Sequence, residues 1–178
     1  MEKSPKNYDV LIIGAGPAGA NAAISYKNLN PNLTVGLVDK AIFPRDKSCG
    51  DAIGPGVISA LKRFNNEHIL DGEPQVVSTT LYGPDNIGIQ NYIPEVKNKE
   101  DSIVYVIPRV DLDNRILDLA KECGVDVYEG YSFVDFTSNL DKSLNVQIKN
   151  ENENLEFLTK ILVGADGANS RIRKKLSY

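Results

Sequence analysis

Tyr8-Asp9-Val10-Leu11-Ile12-Ile13-Gly14-Ala15-Gly16-Pro17-Ala18-Gly19 opens the stretch that decides the fold. A run to Leu29 follows, then Leu33 to Val38 and Asp39. Val10 to Ile13 is a short continuous apolar run, as expected of a parallel strand buried on both faces. From Pro17 to Leu29 the pattern is helical, with Ala18, Ala22 and Tyr26 at i, i+4 spacing. Pro17 suits the helix start because its fixed φ and missing N–H cost nothing there. Asn30-Pro31-Asn32 stops the helix, and Leu33 begins a second apolar run. The glycines fit a phosphate turn: Gly14 permits the tight exit from the strand, Gly16 removes a Cβ from the path of a pyrophosphate, and Gly19 lets helix and strand pack closely. The helix N-terminus offers free N–H groups to an anion. Asp39, twenty residues after Gly19, can accept two hydrogen bonds from a ribose diol. A bare Gly-x-Gly-x-x-Gly is weak evidence, but here strand, helix, second strand and acid stand at the required spacing.

The 178 residues suffice for a domain that buries about 70% of its unfolded surface. Apolar residues make up 42% and charged residues 25% of the chain, an ordinary globular balance. A net charge of −4 without a basic block argues against a nucleic-acid partner. Met1 to Val10 is polar and leads into a strand, so no signal peptide is expected, and no apolar run reaches the length of a membrane span. Cys49 and Cys123 are too few for a disulfide framework or a metal cluster. The cytoplasm is the expected compartment.

After Asp39, residues 40–51 read as an exposed or ligand-facing loop. A short helix is expected from Val57 to Phe64 and a surface connection from Asn65 to Pro74. Strands are expected at Val76–Tyr82 and Ile87–Asn91 around a Gly83-Pro84-Asp85-Asn86 turn. A loop at Pro94–Asp101 and a strand at Ile103–Ile107 follow. A helix from Val110 to Cys123 carries Leu112, Ile116, Leu119 and Ala120 on its apolar face and Gly124 as its C-terminal cap. Val125–Tyr128 and Ser132–Thr137 read as strands, Leu144–Lys149 and Leu155–Leu158 as a hairpin, and Thr159–Val163 as the last strand. A second glycine turn, residues 164–170, leads into a basic helix, Arg171–Leu176. The expected fold is α/β: a Rossmann-like FAD/NAD(P)-binding domain with a parallel central sheet, its core discontinuous over residues 6–60 and 103–178. Residues 74–102 are the expected beginning of a second, β-rich substrate domain.

Three separated motifs coincide with a known pattern. They are Gly14 to Gly19 with Asp39; Arg109-x-x-Leu-Asp-x-x-Ile-Leu-x-x-Ala followed by Gly-Val-Asp-Val; and Val163-Gly-Ala-Asp-Gly-Ala-Asn-Ser170 with Arg173. With them the chain resembles the flavoprotein family that includes aromatic-ring hydroxylases and geranylgeranyl reductases. A plain NAD dehydrogenase has no reason to carry the third motif. The loop Phe43-Pro-Arg-Asp-Lys-Ser-Cys-Gly-Asp51 is more similar to the Cys-Gly loop of the geranylgeranyl reductase branch than to hydroxylases or halogenases. The resemblance implies FAD as cofactor, with Gly14, Gly16, Pro17, Ala18 and Gly19 at its pyrophosphate. Asp39 and Lys40 fall at the adenosine ribose, where the family more often has Glu at position 39. Arg45 and Arg109 are implied as cations along the cofactor, Asp166 and Gly167 as a turn near the pyrophosphate, and Cys49 and Gly50 as neighbours of the isoalloxazine ring. Members of that family run about twice as far, so the chain is expected to be either a truncated product or a separately encoded amino-terminal half that needs a partner chain.

Several residues read two ways. Arg109 is a solvated helix-start arginine by position and a cofactor cation by motif. Cys49 is either a small loop residue or a candidate catalytic thiol: Arg45 and Lys47 favour a thiolate, whereas Asp46 and Asp51 oppose it. Cys123 reads as core, His68 needs no function, Ser170 is a helix cap, and Arg171–Lys175 a solvated face. The implied activity is that of an FAD-dependent oxidoreductase, with hydride passing from reduced flavin to a prenyl-type carbon–carbon double bond and NAD(P)H or another reductant as donor. An isoprenoid small molecule is the implied substrate, and peripheral membrane contact is compatible with it. The alternatives are an FAD-dependent monooxygenase and a non-catalytic dinucleotide-binding fragment.

Overall fold

The computed structural model describes residues 5–92 and 104–177. Of these, residues 5–45 and 113–177 fall in one compact unit, and the described residues between 46 and 112 in another. The larger unit begins with β1 (Lys6–Ile13), α1 (Pro17–Leu29) and β2 (Val35–Asp39). Val10, Leu11, Ile12 and Ile13 of β1 are all buried, as the continuous apolar run requires. Helix α3 (Arg109–Glu122) leads by way of Gly124, at φ +80°, into β7 (Asp126–Glu129). The unit ends with β8 (Ser132–Ser138), β9 (Leu144–Lys149), β10 (Asn154–Gly164) and α4 (Arg171–Leu176). The six strands form one sheet in the order β7-β2-β1-β10-β9-β8. β7, β2, β1 and β10 run parallel, and β9 is antiparallel to both β10 and β8.

This is the expected Rossmann-like α/β unit, with one correction. The hairpin strand Leu155–Leu158 and the last strand Thr159–Val163 are a single eleven-residue strand. Its first half pairs antiparallel with β9 and its second half parallel with β1, so Phe157 lies opposite both Val146 and Lys6. Leu11, Phe133, Val146, Ile148 and Phe157 are buried together on this sheet, and Tyr8 joins them. The Tyr8 hydroxyl donates to Asp126 at 2.9 Å and meets the Tyr128 hydroxyl at 2.7 Å. Burial and those hydrogen bonds push the Tyr8 phenol well above its ordinary range.

The second unit holds β3 (Ala52–Ile53), α2 (Pro55–Lys62), β4 (Ser78–Tyr82), β5 (Gly88–Tyr92) and β6 (Tyr105–Val106). β4 and β5 form the expected hairpin, and β3 pairs antiparallel with β6. Sequence reading missed the two-residue β3. The connection from Asn65 to Pro74 is more than surface, because a 3-10 turn at Glu67–Leu70 buries Ile69 and Leu70. The expected loop at 94–101 and the start of the expected strand at Ile103 lie outside the described residues. No helix among the described residues is long and apolar enough to cross a membrane.

Asp9 ties three parts of the sheet together. Its Oδ2 accepts from the Thr34 N–H and hydroxyl, both at 2.9 Å, and its Oδ1 accepts from Lys160 at 2.8 Å. The Lys160 hydrogen bond, with the two from Thr34, lowers its pKa from 3.8 to about 2. A depressed carboxylate adds stability that is fully present above the unfolded-state value and is lost as pH falls through the folded one. Urea unfolding is therefore expected to show stability falling from about pH 4 towards pH 2. Asp9→Asn is expected to lose stability at neutral pH and to show a shallower acid decline.

Candidate functional site

The turn between β1 and α1 is built by backbone meeting backbone. Gly14 has φ +104°, and a Cβ there would stand 2.3 Å from the Ala165 carbonyl oxygen; one at Gly19 would stand 1.8 Å from the Gly14 oxygen. The Ala165 N–H donates to Ile13 at 2.8 Å. The first and third sequence motifs therefore touch. Gly16 differs from Gly14 and Gly19: among the described residues, chain neighbours and its own helix backbone aside, the atom near its Cβ position is Nη2 of Arg45, at 3.4 Å. Gly16 is also the N-cap of α1, which has no side-chain cap and no acid in its first turn. Its leading N–H groups and the positive end of the helix dipole lie at the same turn that Arg45 approaches. An open glycine, free amides and a cation make a set that fits the diphosphate of a dinucleotide.

Asp39 ends β2 as expected, but its carboxylate already holds the turn. Oδ2 accepts from the Ala15 N–H at 2.7 Å and Oδ1 from the Ala41 N–H at 2.9 Å. Each oxygen keeps one further lone-pair site for a ribose hydroxyl. Lys40 beside it is exposed. Glu129, directly opposite Asp39 across the β2–β7 pair, accepts from the Phe43 N–H at 2.8 Å. Arg45 lies over the Phe43 ring, 4.8 Å from its centroid, and its Nη1 is 3.3 Å from Oδ2 of Asp113, whose side chain is wholly buried. Sequence reading passed over Glu129, and it quoted Asp113 within the second motif without giving it a role. Asp113 had a signal: it lies at i−3, i−4 and i−7 to Ile116, Leu117 and Ala120, an acid on a buried stripe.

Asp166 and Gly167 form the second glycine turn. Asp166 Oδ2 accepts from the Arg171 N–H at 2.7 Å, while its Oδ1 is buried with no hydrogen-bond partner among the described residues. Burial works against the carboxylate, yet the hydrogen bonds it receives hold its pKa below the ordinary value. Gly167 has φ +82°. Ser170 caps α4 as expected, accepting from the Arg173 N–H at 3.0 Å. The basic face of α4 is anchored as well as solvated: Arg171 donates to the Phe133 carbonyl, Arg173 to that of Ala168, and Lys175 pairs with Asp135. Cys123 is half-buried, not core.

The second unit carries the Cys-Gly loop. Cys49 and Gly50 are exposed, and among the described residues no atom beyond the chain neighbours lies within 4 Å of a Cβ built on Gly50. The Asp51 backbone N–H and the Arg109 side chain lower the Cys49 thiol pKa through hydrogen bonds, whereas the Asp51 charge opposes them. Asp51 also accepts from the Arg109 N–H at 3.2 Å, at the start of α3. Cys49, Asp51 and Arg109 are therefore one local constellation.

The model of the FAD binding domain family matches residues 7–178. A menaquinone reductase of Mycolicibacterium smegmatis is 30% identical over 168 residues, 94% of this chain and 39% of its own length. A geranylgeranyl diphosphate reductase of Rhodobacter capsulatus is 29% identical over 171 residues, 95% of this chain and 40% of its own length. The solved structure of p-nitrophenol 4-monooxygenase from Pseudomonas putida superposes with a TM-score of 0.84 at 14% identity, covering 96% of this chain and 44% of that one. That likeness shows the fold alone. The chain spans about two fifths of the length of the curated relatives it matches.

The glycines separate folding from ligand space. Gly19→Ala is expected to destabilise the fold by about 1–3 kcal/mol, because its methyl would fall 1.8 Å from the Gly14 carbonyl oxygen. Gly16→Ala is expected to change stability by less than about 0.5 kcal/mol, since its contact is the end of a flexible side chain. Thermal melts of the two variants check the contrast.

Proposed function

The chain belongs to the FAD binding domain family of flavin-dependent oxidoreductases, and from that premise we propose that it holds the cofactor of a reductase acting on a prenyl-type carbon–carbon double bond. The observation that carries this reading is the Gly16 turn, open on the side where Arg45 stands. In this reading Gly14, Gly16, Pro17, Ala18 and Gly19 form the phosphate turn, and the α1 amides and Arg45 neutralise the diphosphate. Asp39, held by Ala15 and Ala41, offers its remaining lone pairs to the adenosine ribose beside Lys40. Asp166 and Gly167 complete the phosphate side through their turn. When bound, FAD supplies the two-electron chemistry, taking a hydride from NAD(P)H or another donor and yielding it to a substrate carbon.

Cys49, Gly50 and Arg109 serve the reacting end. The Asp51 N–H and then the Arg109 side chain lower the Cys49 thiol pKa, which favours the thiolate of that loop. Reductase chemistry is favoured over oxygen insertion by the Cys49–Gly50 loop and by the two curated relatives, both named reductases. Residues 74–102 begin the substrate-side sheet in this reading. Leu81 and Ile89, paired across β4 and β5 and both exposed, supply apolar surface for further chain. The rest of the substrate wall comes from sequence outside these 178 residues, on the same polypeptide or a partner.

Two measurements test the proposal. Asp39→Ala is expected to weaken FAD about 10–100-fold through loss of charge-assisted hydrogen bonds; a loss below about twofold would mean the carboxylate serves the turn alone. Anaerobic incubation of the FAD-loaded protein, joined to the chain that supplies the rest of the substrate wall, with dithionite and a geranylgeranyl compound is expected to add two hydrogens per reduced double bond, read by mass spectrometry. Product that forms only in air and gains one oxygen would identify a monooxygenase instead.

A further inference from the structure

We propose that Asp113 is a positioning residue: its buried carboxylate aims the Arg45 guanidinium at the Gly16 turn and so sets affinity for the diphosphate of a dinucleotide. The inference rests on the diphosphate reading of that turn. An aspartate is rarely wholly buried, because an ionised carboxylate loses its hydration. Asp113 is 1% exposed on a stripe otherwise made of Ile116, Leu117 and Ala120. An apolar residue at such a site often serves stability as well or better.

The geometry of Arg45 supplies a reason for the acid. Arg45 sits on a loop without regular structure, where a long side chain would sample many rotamers. Here three contacts fix it. The Phe43 ring takes one face of the guanidinium, Asp113 pairs with Nη1, and Nη2 is left against Gly16. A planar fork held on one edge presents its other edge in a set direction. Asp39 and Glu129 fix the same loop from below, through the N–H groups of Ala41 and Phe43.

The sign of the charge distinguishes the alternatives. A carboxylate close to an anion's site repels that anion, so Asp113 acting only through its field would weaken diphosphate binding, and Asp113→Asn would strengthen it. Asp113 acting through Arg45 gives the opposite sign. A merely structural Asp113 would affect every ligand of the turn alike.

The test is equilibrium binding of ADP and of adenosine to the wild-type chain, Asp113→Asn, Arg45→Met and the double variant, with circular dichroism to follow folding. Asp113→Asn is expected to weaken ADP roughly tenfold while adenosine changes by less than about twofold. In the Arg45→Met background, Asp113→Asn is expected to cause no further loss of ADP affinity. Tighter ADP binding by Asp113→Asn, equal loss of ADP and adenosine, or a further loss in the double variant would each overturn the proposal. If Asp113→Asn alone does not fold, the comparison of Arg45→Met with the double variant decides, and a double variant that also fails to fold makes Asp113 a folding residue. A wild-type chain that binds neither ADP nor FAD would instead defeat the diphosphate reading itself.

Discussion

The close approach of three backbone segments at the end of β1 is the constraint on which the larger unit depends. Gly14 lies against Ala165 and Gly19 against Gly14 at distances that exclude a Cβ. The β1–α1 turn and the β10–α4 turn are thereby locked to each other, with the Ala165 N–H on the Ile13 carbonyl. The central strands could pair with other residues at these positions, but the helix would stand further from the sheet. Its N-terminal turn at Gly16 would then stand further from Arg45. Fold and site share one steric requirement, met at Gly14 and Gly19, and the one glycine spared from it, Gly16, is where a ligand has room.

Carboxylates govern the rest of the site, mostly by organising backbone and cations. Asp39 pins Ala15 and Ala41, Glu129 pins Phe43, and Asp113 holds Arg45. Ionised acceptors make stronger hydrogen bonds than neutral ones. Three of them on one short loop hold it without helix or strand. The second unit repeats the device locally, with Asp51 accepting from the start of α3 and donating its own N–H to Cys49.

Much of this was legible in the sequence. β1, α1 and β2 follow from an apolar run, a helical period and their punctuation, and the three motifs identified which turns matter. Less legible was whatever depends on partners distant in sequence. β10 reads as two strands because its pattern changes midway, from the alternation of Leu155, Phe157 and Thr159 to the continuous run Ile161–Val163. The change marks a switch from an antiparallel neighbour to a parallel one, not a chain break. Asp113 stands in the second motif, but its role is unreadable until Arg45, 68 positions earlier, is placed beside it. The bonds of Asp39 to Ala15 and Ala41 are equally invisible to spacing, which identifies an acid at a strand end but not what it holds.

The most direct measurement is a crystal structure of the chain grown with FAD. The expected result places the diphosphate between the α1 amides at Gly16 and the Arg45 guanidinium, with Arg45 still paired to Asp113. A diphosphate bound elsewhere on the protein, or an Arg45 turned away from Gly16 with the ligand in place, would contradict it.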